Sequence, residues 1–220
     1  KATDIVSEVE ISHIHSTPVG YFLPAIMKFI EKFPSVNLQF NETSYSNIIS
    51  RVQNNKKLTI GIVAYIYPLE SYEALYSDIL ANLSFIPIMK TRPVALFSEN
   101  HPFYNRYQKI SLKTLMQYPV TILQSNGSIE DSITYKLLKN YGEPKIKYAV
   151  TNLEMYYQIL KQGNSFGIAA EKNVRVNELK KLELIETIGY MLGFVINKKN
   201  ENNILVKELL EIIRKEIYKR

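Results

Sequence analysis

The chain contains no cysteine, which excludes disulfides and thiolate chemistry and is compatible with a reducing, cytoplasmic setting. It has no apolar run of the ~20 residues that a membrane-spanning helix needs. The stretch Lys1 to Glu10 carries charges where a signal peptide would carry its apolar core, so neither secretion nor a membrane partner is expected. Neither a Gly-Lys-Ser/Thr phosphate loop nor a G-x-G-x-x-G fingerprint occurs, and no nucleophile elbow is present. Histidines number three. His13 and His15 share a strand face by spacing, but two ligands without Cys or a third partner make an incomplete metal set. They are expected to be structural or exposed, as is His101 before Pro102. No catalytic constellation, metal site or cofactor is expected.

What is present is a core-forming composition. With 46% hydrophobic content over 220 residues, the chain can bury a large core as one domain or two small ones. The net charge of +6 raises the question of nucleic acid. Half of that excess lies between Asn197 and Arg220, where seven Lys or Arg face four Glu. There the charges interleave around Leu205, Leu209, Ile212, Ile213 and Ile217, the pattern of a solvated helix face over an apolar one. A first residue other than Met suggests a fragment or a processed chain, so a DNA-binding part, if any, is expected outside it.

The stretch from Val9 to Glu42 organises the rest. Val9 to His15 suits a strand, Ser16 and Thr17 stop it and can cap a helix, and Pro18 fits a first helical position. Val19, Phe22, Leu23, Ile26, Met27, Ile30 and Phe33 then recur at helical spacing, with Lys28, Glu31 and Lys32 on the other side. Pro34 ends the helix, and Val36, Leu38 and Phe40 alternate as a second strand. Such a βαβ unit brings the strand's carboxyl end and the helix's amino end to one rim, which favours anionic or polar ligands.

Further along, Thr43 and Ser44 precede a short helix with Ile48, Ile49 and Val52, and a third strand spans Leu58 to Ala64. The tyrosine-bearing segment Tyr65 to Asp78 is expected to be a loop, packed under its own aromatics or serving as a lid. Strands are expected over Leu83 to Met89 and Pro93 to Ser98, which could form one long crossing strand, and over Val120 to Leu123, Ile146 to Val150, Phe166 to Ala170, Leu182 to Glu186 and Tyr190 to Ile196. Ser125, Asn126, Gly127 and Ser128 form a turn into a helix running from Ile129 to Tyr141, and Thr151 with Asn152 caps another. No Pro- or Gly-rich linker separates the βαβ sets. Two lobes joined by strands therefore fit better than two tethered domains, with lobe I at 1–85 and 187–220 and lobe II at 86–186.

These residues, taken in order, resemble the effector-binding domain of LysR-type transcriptional regulators. The opening pattern of that family is matched by Ser16, Leu23-Pro24, Phe29, Phe33-Pro34, Val36 and Glu42. Its later motifs are matched by Leu58-Thr59-Ile60-Gly61-Ile62, with Thr59 in place of an acid, by Pro93-Val94-Ala95-Leu96, His101-Pro102 and Ser111 to Leu115, and by Gly163 to Ala169, where the usual following Pro is missing. The resemblance spans essentially the whole chain; its main departure is the tyrosine-bearing segment.

The resemblance implies two Rossmann-like α/β lobes joined by crossover strands, of the type 2 periplasmic-binding-protein kind. It further implies a small-molecule effector site in the cleft between the lobes, homodimers or tetramers, and DNA contact only through an N-terminal winged helix-turn-helix absent from this chain. In the family's antiparallel pairing, the helix after Thr43 would pack near the partner's helix after Asn152. The effector-binding candidates are Ser16, Thr17, Thr43, Ser44, Ser125, Asn126, Gly127, Ser128, Thr151 and Asn152. Each is by itself a plain helix cap, and their shared place at strand carboxyl ends is what makes the ligand reading competitive. Helix amino ends favour a carboxylate, whereas the tyrosines suit an aromatic metabolite. A solute-binding protein of a transporter is the alternative function, and an enzyme a distant third.

Overall fold

The structure is a computed structural model that describes residues 8–15, 17, 19–69, 82–124, 128–173 and 178–218. It divides into two compact units, one of Lys1–Val63, Tyr72–Met89 and Leu192–Arg220 and the other of Ala64–Ser71 and Lys90–Met191. Three of the boundaries between the units fall within strands.

In the first unit, β1 (Glu8–His13) lies parallel to both β2 (Asn37–Glu42) and β3 (Leu58–Tyr67). With β4 (Leu83–Thr91) and β11 (Gly189–Asn197) they form a sheet in the order β2-β1-β3-β11-β4. The helix α1 (Val19–Lys32) buries Phe22, Ala25, Ile26 and Phe29, each fully buried large side chain being worth about 1.5–3 kcal/mol. Its apolar stripe is narrower than the spacing suggests, because Leu23 and Met27 are each 49% exposed. Phe22 packs against Phe194 of β11 at 5.9 Å. The helix α2 (Tyr45–Asn54) buries Ile48, Ile49 and Val52. It comes so close to β3 that a Cβ on Gly61 would lie 2.5 Å from Ile48 Cγ2. The C-terminal helix, α6 (Ile204–Tyr218), packs on α1, buries Val206, Leu209, Leu210 and Ile213, and is tied by Lys28 to Glu216 at 2.7 Å and Lys32 to Glu208 at 2.5 Å. At least these two of its charges are paired within the fold.

A buried carboxylate joins β1 to α2. Glu10 is 3% exposed and accepts hydrogen bonds from Ser12 Oγ at 2.7 Å, Arg51 Nη1 at 2.8 Å and Asn55 Nδ2 at 3.1 Å. Burial pushes its carboxyl up, but hydrogen bonding from Ser12, Arg51 and Asn41 and the guanidinium charge outweigh that and hold it below the usual carboxylate range.

The second unit holds a four-stranded sheet in the order β6-β10-β5-β9, made of β5 (Pro93–Phe97), β6 (Lys109–Ile110), β9 (Gly167–Ala170) and β10 (Lys180–Leu184). A parallel pair, β7 (Val120–Leu123) and β8 (Ile146–Val150), continues from it through Thr121 N to Phe166 O at 2.8 Å. The helices are α3 (Leu112–Leu115), α4 (Ile133–Lys139) between β7 and β8, and α5 (Leu153–Lys161). Tyr156 of α5 is buried and donates to Ile168 O at 3.1 Å, and a Cβ on Gly167 would collide with its ring. Phe97, His101, Phe103, Tyr118 and Phe166 form an aromatic cluster under the sheet.

Four expectations change. The expected single helix from Ile129 is a 3-10 turn, Ile129–Asp131, followed by α4, because Ser132 adopts an extended conformation and gives its hydroxyl to Leu123 O at 2.9 Å. Tyr65 and Tyr67 belong to β3 rather than to a loop, since β3 runs on across the unit boundary; the remainder of that tyrosine-bearing segment, from residue 70, lies outside the described residues. The strand expected over Leu182 to Glu186 sits at Lys180–Leu184. Finally, β4 and β5 are distinct strands in different sheets, separated at Arg92.

Candidate functional site

The rim of the first unit is built where β1 and β2 end side by side. In parallel register, His13 faces Glu42, the last residue of each strand, and Thr43 N donates to His13 O at 2.9 Å. The chain then turns, with Thr17 N donating to Ile14 O at 2.9 Å and Val19 N to Thr17 O at 2.8 Å, before α1 begins. Thr17 sits in this turn, 8% exposed; Ser16 beside it lies outside the described residues. The amino end of α1 is thus set directly after the carboxyl end of β1, where the helix dipole favours negative charge.

Across the rim, Thr43 Oγ1 accepts from Asn47 Nδ2 at 3.2 Å, and Ser44 Oγ caps α2 by accepting from Asn47 N at 3.3 Å. Ser44 is 2% exposed, so its hydroxyl is turned to the helix. The two histidines do not act as one pair. His13 closes β1, with Nδ1 3.1 Å from Ile14 O, whereas His15 lies beyond the strand and its Nδ1 contacts Glu42 Oε1. His15 Nε2 is enclosed and has no hydrogen-bond partner. Among the described residues no group of three or more His, Cys, Asp or Glu could hold a metal ion.

The second unit has a comparable rim at the ends of β7 and β8, where Gln124 N donates to Val150 O at 2.8 Å. Ser125, Asn126 and Gly127 lie outside the described residues. Ser128 caps the 3-10 turn, accepting from Glu130 N at 3.1 Å, and its hydroxyl and that turn's N–H hold the Glu130 carboxyl below its usual range. Thr151 is exposed, and Asn152 caps α5 through a 2.9 Å bond from Met155 N to its Oδ1. The described candidates therefore gather as Thr17, Thr43 and Ser44 at one rim and Ser128, Thr151 and Asn152 at the other.

Sequence reasoning missed the His15–Glu42 contact and the Ser132 bond. The first was signalled by a His two residues past His13 and an acid at the end of the neighbouring strand, once β1 and β2 are known to be parallel neighbours in register. The second carried no signal beyond a Ser in an apolar period.

The family described as the LysR substrate binding domain matches residues 4–217. No protein of curated function matches the sequence. Among solved structures, HinK, a LysR family transcriptional regulator from Pseudomonas aeruginosa, is 18% identical with a TM-score of 0.72, over 97% of this chain and 72% of its own. The effector-binding domain of QuiR in complex with shikimate is 16% identical with a TM-score of 0.73, over 97% of this chain and 98% of its own. The regulatory domain of MetR from N. meningitidis is 12% identical with a TM-score of 0.73, over 97% of this chain and 95% of its own. With its periplasmic-binding-protein-like α/β fold, the chain belongs to the LysR substrate-binding domain family, the ligand-sensing regulatory module of LysR-type transcriptional regulators.

Proposed function

We propose that a small-molecule effector binds at the strand-end rims, engaging Ser16, Thr17 and Thr43 in the first unit and Ser125 to Ser128, Thr151 and Asn152 in the second, and that its binding controls transcription. The observation that carries this reading is the junction of β1 and α1 at Thr17, where a strand's carboxyl end and a helix's amino end meet beside polar side chains. A carboxylate on the effector is favoured by the helix dipole. Shikimate in the QuiR domain is in keeping with a small polar metabolite. An effector shifts the regulator only by its difference in affinity between conformations. The domain has no enzymatic role in this reading, which family membership favours over delivery of solutes to a transporter.

The working assembly is a homodimer, or a tetramer of full-length chains, in the cytoplasm, with DNA contacted through a winged helix-turn-helix before Lys1. The exposure of Leu153 at 43% and Met155 at 55% on α5 supports pairing through that helix. Among the described residues no helix is long and apolar enough to cross a membrane.

A thermal-shift screen of metabolites against the wild type, Ser16→Ala and Gly127→Phe tests the site. At least one metabolite is expected to raise the wild-type Tm, with smaller shifts in both variants and unchanged unliganded Tm values. Equal shifts in all three proteins would rule the site out.

A further inference from the structure

β11 lies between β3 and β4 in its sheet, and it carries two glycines four residues apart, Gly189 and Gly193. Glycine weakens a strand, and its presence there marks a place where another group comes close. Both positions have such a group. A Cβ on Gly189 would lie 2.3 Å from Tyr67 Oη and 2.4 Å from Tyr67 Cζ. A Cβ on Gly193 would lie 2.3 Å from Phe85 Cζ and 2.6 Å from both Phe85 Cε2 and Ile86 O. Each glycine is thus roofed by an aromatic ring from a neighbouring strand, Tyr67 of β3 and Phe85 of β4. Strand positions four apart share a face, so the two rings cover one face of β11. Lys90 Nζ stands 5.1 Å from the centroid of the Tyr67 ring. The ring that β3 lays over β11 therefore also meets a cation carried by β4, an attractive contact.

The two rings fall on opposite sides of a boundary. β11 passes from the second unit to the first between Met191 and Leu192. Gly189, Tyr67 and Lys90 all belong to the second unit, and Gly193 and Phe85 both belong to the first. Each unit fastens β11 to itself with a ring of its own, and Tyr190, Met191 and Leu192 lie between the two fastenings. A hinge has this form: a few residues absorb the change in φ and ψ while the packed segments on either side move as rigid pieces.

We infer that Tyr190, Met191 and Leu192 are the hinge of β11, delimited by Tyr67 over Gly189 on one side and by Phe85 over Gly193 on the other. The regulatory use of this hinge rests on the effector reading above: an effector that favours one conformation over another moves the chain at these three residues. The hinge itself belongs to the unliganded chain and is tested without an effector.

The test is amide hydrogen exchange of the unliganded chain, resolved to single residues by NMR. Protection factors at Tyr190, Met191 and Leu192 are expected to be at least about tenfold lower than at Gly189 and Gly193, because a hinge opens locally below the free energy of its packed flanks. Tyr67→Leu removes one ring and is expected to extend the low protection to Gly189 and Lys90 while Gly193 keeps its own. Phe85→Leu is expected to do the reverse, exposing Gly193 and sparing Gly189. Lys90→Met leaves the Tyr67 ring in place and is expected to lower protection at Gly189 by a smaller factor. The Tm of each variant reports on global stability, and if either Leu variant loses protection throughout the chain, Lys90→Met decides. Even protection from Gly189 to Gly193 in the wild type overturns the inference, as does a loss in Tyr67→Leu or Lys90→Met that is equal at the two glycines. A metabolite screen in which nothing stabilises the chain counts against the effector reading and leaves the hinge standing.

Discussion

Acidification from pH 7 to pH 4 is predicted to destabilise the second unit through His101. The ring is 4% exposed, 4.7 Å from Phe97, 5.1 Å from Phe103 and 5.9 Å from Tyr118, and its Nδ1 accepts from Phe103 N at 3.3 Å. Burial without a counter-charge lowers its pKa from 6.5 to about 4. Between those values the unfolded chain binds a proton that the folded chain does not. The group's contribution is therefore fully present above pH 6.5 and declines as the pH falls toward 4. At ~1.4 kcal/mol per unit, the loss approaches about 3 kcal/mol by pH 4. Protonation at Nδ1 also breaks the bond from Phe103 N, which ties the shift to a specific contact. Urea unfolding of the wild type and His101→Asn at half-unit pH steps isolates the effect, since every other titratable group is the same in both. The variant keeps an acceptor near Nδ1 and is expected to show a pH profile flatter by about 2–3 kcal/mol over this window. Parallel profiles would refute the reasoning.

Gly61→Ala is expected to destabilise the first unit by about 1–3 kcal/mol, because the new methyl would overpack against Ile48 Cγ2 on α2; chemical denaturation checks it. Arg51→Ala leaves Glu10 buried with one donor fewer and is expected to cost about 1–3 kcal/mol. Because the folded-state pKa of Glu10 is held low, that contribution is present above the ordinary carboxylate range and is lost as the pH falls through the lowered value. The stability gap between wild type and Arg51→Ala should accordingly close in acid.

Much of the architecture was legible because it rests on local signals. The helix from Val19 carries its period through Phe22, Ala25, Ile26 and Phe29, and Ser44 and Asn152 occupy the helix caps that their residue types favour. What was hidden depends on partners distant in sequence. β11, from the end of the chain, enters between β3 and β4, and nothing near Gly189 announces that position. Leu23 and Met27 share the apolar period of α1 yet remain exposed, since spacing gives a face but not how wide a partner covers it. The helix expected from Ile129 breaks at Ser132 because its hydroxyl bonds a strand-end carbonyl, a tertiary competitor to helix propensity. The candidate rims were legible as strand-end Ser, Thr and Asn, of which Thr17, Thr43, Ser44, Ser128, Thr151 and Asn152 lie among the described residues. The His15–Glu42 contact required the β1–β2 register, which no single sequence states.

The claim that this rim senses an effector is tested most directly by isothermal titration of the strongest metabolite from the thermal-shift screen into the wild type and Ser16→Ala. The account predicts that Kd rises about tenfold or more in the variant, the loss of roughly one hydrogen bond to a ligand, with the unliganded Tm unchanged. An identical Kd for the two proteins would contradict it.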